Sequence, residues 1–165
     1  MAATEETHLQ FLIAIAVFVL YSSHAASESR LEGSYVARTL NGHSLPVELR
    51  VPATAGDFRI FRLEQGVLRL GPSGRFTLYF RYHHQLVRRG DRPTATPVMS
   101  DSETGNYSIR QDRIVLTPEK KSGAKSRSPI SATIAGEEIR ATYMLQNGAS
   151  NQRVTLLLRR DASYW

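Results

Sequence analysis

The chain has 165 residues, 41% hydrophobic and 22% charged, and 21 Lys and Arg against 15 Asp and Glu give a net charge of +6. That balance fits one globular domain with enough chain to enclose a core, and it excludes wholesale disorder. The chain has no cysteine, which excludes a disulfide framework, a thiol catalyst, a thiolate-held metal and lipid attachment through a thiol.

The first feature in chain order is FLIAIAVFVLY at 11–21, an unbroken apolar run. It is short for a mature membrane helix and of the length found in the apolar region of a secretory signal. Ser23 and Ala25 place small residues at the minus-three and minus-one positions of a cut after Ala25, and a cut after Ala26 serves nearly as well. Glu5 and Glu6 stand ahead of the run where export signals carry Lys or Arg. The expectation is a signal segment over 1–25 and a secreted or periplasmic protein; the alternative is an uncleaved segment tethering it to a membrane. Without residues 1–25, 21 basic residues face 13 acidic ones. Such an excess favours weak contact with an anionic surface, while solubility alone also accounts for it.

From Gly33 onward nearly every segment alternates apolar and polar residues with period two, the mark of a half-buried strand. SYVARTL (34–40) leads to Asn41-Gly42, a strong turn signal because both residues tolerate positive φ. PVELRV (46–51) resumes with Pro46 at its first position, where a missing N–H costs least. In FRIFRLEQGVLRL (58–70) the apolar parity changes, Phe61 and Leu63 being odd and Leu68 and Leu70 even, so a bulge is expected at Gly66. After the tight turn GPSG, RFTLYFRYHHQLV (75–87) places Phe76, Leu78, Phe80, Tyr82, His84 and Leu86 on one face.

Residues 88–102 read as a long loop, and TGNYSIR (104–110) pairs with RIVLTP (113–118) across Gln111-Asp112. A basic loop, EKKSGAKSRS (119–128), precedes three last strands, ISATIAG (130–136), EIRATYML (138–145) and RVTLLLRR (153–160). Strands in series with short connections and no intervening helix form a meander, and closure on itself removes its exposed edges. The fold class predicted is therefore all-β: a single antiparallel up-and-down β-barrel of about eight strands over residues 31–160, preceded by the signal segment.

The order of these features resembles that of small exported bacterial lipocalin-like proteins. The likeness lies in Gly33-Ser34-Tyr35, Asn41-Gly42 and Leu45-Pro46, in the hairpin GVLRLGPSGRFTLYF (66–80), and in Gly105, Tyr107, Ile114 and Leu116 of the next hairpin. Tyr35 stands where lipocalins have tryptophan, and the lipocalin cysteines are missing. The resemblance implies a barrel with an interior site, and a basic residue near the barrel end that pairs with a ligand carboxylate. Arg160 is the candidate for that residue, with Arg159 as the alternative; a plain terminal charge closing the barrel rim is the competing reading of either.

An eight-stranded barrel is wide enough either to be filled by side chains or to hold one small ligand. The inward aromatics Phe76, Phe80, Tyr82, Tyr107 and Tyr143, with His84, line such a site or simply fill the interior. Adjacent histidines on a strand point to opposite faces, so His83 and His84 cannot share a metal, and no zinc-type spacing occurs. No nucleophile elbow, phosphate loop or carboxylate pair appears, so no catalytic residue and no cofactor is assigned. Without a recognition helix, nucleic acid is not an expected partner.

The expected function is non-enzymatic binding of a small hydrophobic or amphipathic ligand inside an exported barrel. The competing expectation is a filled barrel acting as an envelope or protein-interaction module through its basic loops. A third, a lipocalin-like isomerase or cyclase, needs an acidic partner for His84 inside.

Overall fold

A computed structural model describes residues 31–53, 56–119, 128–147 and 150–164. The signal expected over 1–25, most of the basic loop and Trp165 lie outside the described residues, as do the side chains of 145–151. The compact unit that carries the strands begins at Gly33.

Ten strand segments make one sheet: β1 (Gly33–Leu40), β2 (His43–Ser44), β3 (Val47–Pro52), β4 (Phe58–Leu70), β5 (Arg75–Val87), β6 (Met99–Arg110), β7 (Arg113–Pro118), β8 (Ile130–Ala135), β9 (Glu138–Asn147) and β10 (Ser150–Arg160). Neighbours from β4 to β10 pair in sequence order, β10 pairs with β1, and β1 pairs with β4. Eight strands thus close an antiparallel barrel. The β1–β4 seam is short, running from Gly33↔Leu70 to Val36↔Val67. Beyond it the two strands diverge. β2 pairs with the end of β1 and β3 with the start of β4, so this segment lies in the opening between them.

Local chemistry explains the reversals. Asn41 (φ 52°) and Gly42 (φ 82°) both adopt the left-handed conformation that the β1–β2 turn requires. A single 3₁₀ turn at Pro72–Gly74 joins β4 to β5, and Gln111 (φ 58°) turns β6 into β7. The bulge in β4 falls between Leu63 and Gln65, two residues before the glycine at which parity alone placed it. Gly66 has a different reason: a Cβ there would stand 3.1 Å from the Ala37 Cβ and 3.4 Å from the Phe80 ring. Close packing between the strands on either side, and not the bulge, accounts for the glycine.

The two ends of the barrel differ. At one end Tyr35, Leu68, Leu70, Phe76, Leu78, Tyr107, Ile114, Ile139 and Leu158 are buried and fill the interior. At the other, β4 and β5 run for 13 residues each against eight for β1, so the paired start of β4 and end of β5 stand above the ring as a lip. That lip corrects one expectation. Leu86, assigned by parity to the inner face, is 48% exposed because no wall opposes it at that height, whereas Val87 of the opposite parity is 1% exposed.

The segment 88–98 lies on the face of β5 that Val87 shares with His83 and Gln85. It folds back along the outer face of β5, where His83 Nδ1 donates to the Thr96 carbonyl at 2.8 Å. Gln85 Nε2 donates to Thr94 Oγ1 at 2.9 Å, and the Thr94 N–H donates to Gln85 Oε1 at 3.2 Å. The strand that follows starts at Met99, five residues earlier than the apolar signal indicated. Its inward residues are Asp101, Glu103, Gly105, Tyr107 and Ile109, while Ser102, Thr104, Asn106 and Ser108 are exposed.

Candidate functional site

A cavity of about 400 Å³ occupies the lip end of the barrel, within the range of small-molecule sites. β4 contributes Arg59, Phe61 and Leu63, β5 contributes Phe80, Tyr82 and His84, and β6 contributes Asp101 and Glu103. Across the lumen stand Tyr143 and Met144 of β9 and Val154 and Leu156 of β10, with Ile130 at the start of β8 and Leu40 at the end of β1. His84 is exposed and Tyr82 half-buried, so the cavity opens to solvent on that side.

Small residues set its width. Ala37, Ala132 and Ala141 are buried on inward positions of β1, β8 and β9, and larger side chains there would occupy the lumen. The aromatic side chains then line it in pairs. The Phe61 and Tyr82 rings lie 4.8 Å apart on neighbouring strands. Phe80 and Tyr143 meet from β5 and β9, strands that are not neighbours, with centroids 5.9 Å apart. Both distances are those of ordinary aromatic pairs.

Of the seven residues expected from sequence, Phe80, Tyr82, His84 and Tyr143 line this cavity. Phe76 and Tyr107 do not; they belong to the filled end. Phe76 lies against Gly105, where a Cβ would come within 2.6 Å of its ring, and the Tyr107 hydroxyl donates to the Gly71 carbonyl at 3.0 Å. Arg160 is also placed elsewhere. β10 runs from the cavity at Val154 and Leu156 toward the filled end, so its last residue sits opposite Tyr35 with its guanidinium over Gly33. It marks the barrel's other end and not the mouth.

The two carboxylates in the wall were missed. Asp101 faces the lumen opposite Phe80, and Glu103 opposite Leu78, where it is 6% exposed. Arg59 and His84 lie higher, toward the rim. Asp101 and Glu103 are the inward acidic groups that an isomerase reading of His84 calls for, but they face points four and six residues below His84 on β5, roughly 13 and 20 Å of strand. No group of three or more His, Asp and Glu among the described residues is arranged to hold a metal.

At the filled end, burial holds the Tyr35 hydroxyl above its ordinary pKa, partly offset by the nearby Arg160 charge. At the rim of that end, Asp161 is held below the usual carboxylate range, first by hydrogen bonds from Ser163 and then by Arg38 at 3.2 Å.

The fold and cavity define this chain as a closed eight-stranded antiparallel β-barrel with one filled and one open end. No family model matches the chain, and no curated protein and no solved structure matches it.

Proposed function

We propose that this protein is an exported, lipocalin-like binding barrel that holds a small hydrophobic or amphipathic molecule without transforming it. One observation carries the reading: the barrel interior is filled at one end and leaves a cavity of about 400 Å³, walled by aromatic and aliphatic side chains, at the other. Burial of apolar ligand surface provides the affinity. Roughly 200 Å² removed from water contributes about 5 kcal/mol before the losses of association. The half-buried Tyr82 and Tyr143 add hydroxyls that orient a polar end. Secretion or periplasmic residence accords with the apolar run at 11–21, and the basic excess accords with weak contact with anionic surfaces.

Native mass spectrometry of protein purified under mild conditions, followed by organic extraction, tests the proposal. A stoichiometric co-purified apolar molecule is the expected result. A bare protein mass, together with no thermal shift across a panel of fatty acids, amines and isoprenoids, overturns it and leaves the barrel as a surface-acting module.

A further inference from the structure

We propose that the lip of the barrel docks on a lipid bilayer carrying anionic headgroups, with Leu86 entering the headgroup layer among arginines. The inference gives a place and a partner to the anionic-surface contact named above, and it holds whether the cavity is filled or empty. It comes from which side chains the open end exposes.

Large apolar side chains are exposed at six positions among the described residues. Four of these surround the open end. Leu86 stands on the lip, Val98 and Met99 lie where β6 begins beside it, and Met144 lines the cavity from β9. A single exposed apolar residue is ordinary, but a group of them at one end marks a contact surface. Leu86 is the most exposed of them, at 48%. It sits one register pair from the top of the lip, directly opposite Arg59.

The charge around Leu86 is positive. Arg88, Arg89 and Arg92 follow it in the chain and are exposed. Arg89 is tied to the start of β4, since its N–H donates to Asp57 Oδ1 at 2.9 Å. With Arg59, four arginines there face two acids, Asp57 and Asp91. Residues 120–127 hold three lysines, an arginine and no acid, so they carry no counter-charge for this group. The filled end differs: Asp112, Glu137, Glu138 and Asp161 offset most of the arginines in its turns and at the end of β10.

The combination selects lipid. A soluble polyanion is held by charge alone and gives no use to an exposed leucine among arginines. A bilayer interface takes both, with guanidinium groups at the phosphates and the apolar side chain beneath them. Each basic residue close to an anionic leaflet raises affinity about fivefold, so the balance at the lip orients the barrel with its open end toward the surface.

Flotation of the purified full chain tests this, with vesicles of phosphatidylcholine alone and vesicles containing about one-third phosphatidylglycerol. The apolar run at 11–21 suits either kind, so the ratio of the two affinities is the readout. Anionic vesicles are expected to bind about tenfold more tightly, and less so as salt rises from about 0.1 to 0.5 M. Arg88→Gln with Arg89→Gln is expected to cut that ratio about five- to tenfold. Leu86→Ser is expected to weaken binding to the anionic vesicles about fivefold. Arg110→Gln with Arg113→Gln, an adjacent pair at the other end, should leave the ratio within about twofold, because it lies beyond screening range of the docked surface. All five side chains are exposed, so the variants leave the packed interior intact. Equal binding to both vesicles, a ratio that the lip arginines do not change, or an equal loss with the filled-end pair overturns the docking assignment. A ratio that falls with Arg88 and Arg89 while Leu86→Ser changes nothing overturns the bilayer in favour of a soluble polyanion. Neither result bears on the cavity, which native mass spectrometry reads separately.

Discussion

Gly105 shows how closely single residues are constrained at the filled end. A Cβ there would lie 2.1 Å from the Thr117 carbonyl oxygen, 2.6 Å from the Phe76 ring and 2.9 Å from the Pro118 Cα. Two of those three are backbone atoms, so little can give way. Gly105→Ala is expected to cost about 3 kcal/mol or more, read as a lowered urea midpoint, whereas Gly136→Ala, with open space around it but φ 62°, costs about 1 kcal/mol. Tyr35 makes a prediction in pH. Its folded pKa is raised by burial, so the proton is held more tightly in the folded state than in the unfolded one, where it titrates near 10. Its contribution to stability is full below that value and declines as pH rises from about 10 through the folded pKa. Thermal melts from about pH 8 to 11 should fall more steeply for the wild type than for Tyr35→Phe. At this scale the sequence was legible where period two coincided with apolarity: Phe80, Tyr82 and Tyr143 were found because they continue apolar faces. Asp101 and Glu103 were not, because the inward positions of that stretch are polar or glycine and its Ser-Asp-Ser-Glu-Thr composition reads as loop.

At the level of elements, β5 combines two environments along one strand. Its lower half, Phe76 and Leu78, packs into the filled interior, while its upper half is covered from outside by residues 88–98. Gln85 holds that covering segment through a two-way exchange with Thr94. Gln85→Ala should increase amide exchange at Thr94 and its neighbours, with a stability loss of about 1 kcal/mol; unchanged exchange there would show that the segment is held by other contacts. The meander order, the β1–β2 turn and the β6–β7 hairpin were all legible, since each depends on local residues such as Asn41-Gly42. What sequence could not supply was height. Whether Leu86 faces a wall or open solvent depends on how far neighbouring strands extend, and the lengths of β1 and β5 are set by pairing between distant parts of the chain. The bulge position had the same cause: a parity change gives a window, and cross-strand register selects the residue within it.

For the molecule as a whole, dense packing and the cavity stand at opposite ends of the barrel. Leu158, with no exposed surface, is surrounded by the filled interior, and Leu158→Ala is expected to cost about 2–5 kcal/mol. Phe80 is larger but only half-buried, with one side of its ring toward the cavity. Phe80→Ala should cost less than that substitution despite removing more atoms, because part of what it vacates is already void. The same change should lower affinity for an apolar probe. Paired denaturation and dye-binding measurements check the division; a greater loss of stability at Phe80 than at Leu158 would contradict it.

The short β1–β4 seam has a consequence for how wide the open end of the barrel can become. Four register pairs bind these strands at the filled end, and above them the gap is spanned by a separate flap of chain, tied to β1 at Thr39 and Leu40 and to β4 along Val47–Pro52. The barrel is thus a sleeve laced at the cuff and left with a gusset at the opening. On the binding reading proposed above, a guest wider than the resting cavity would be admitted by letting out the gusset, at the expense of the few bonds between β1 and β2, while the lacing below keeps its register.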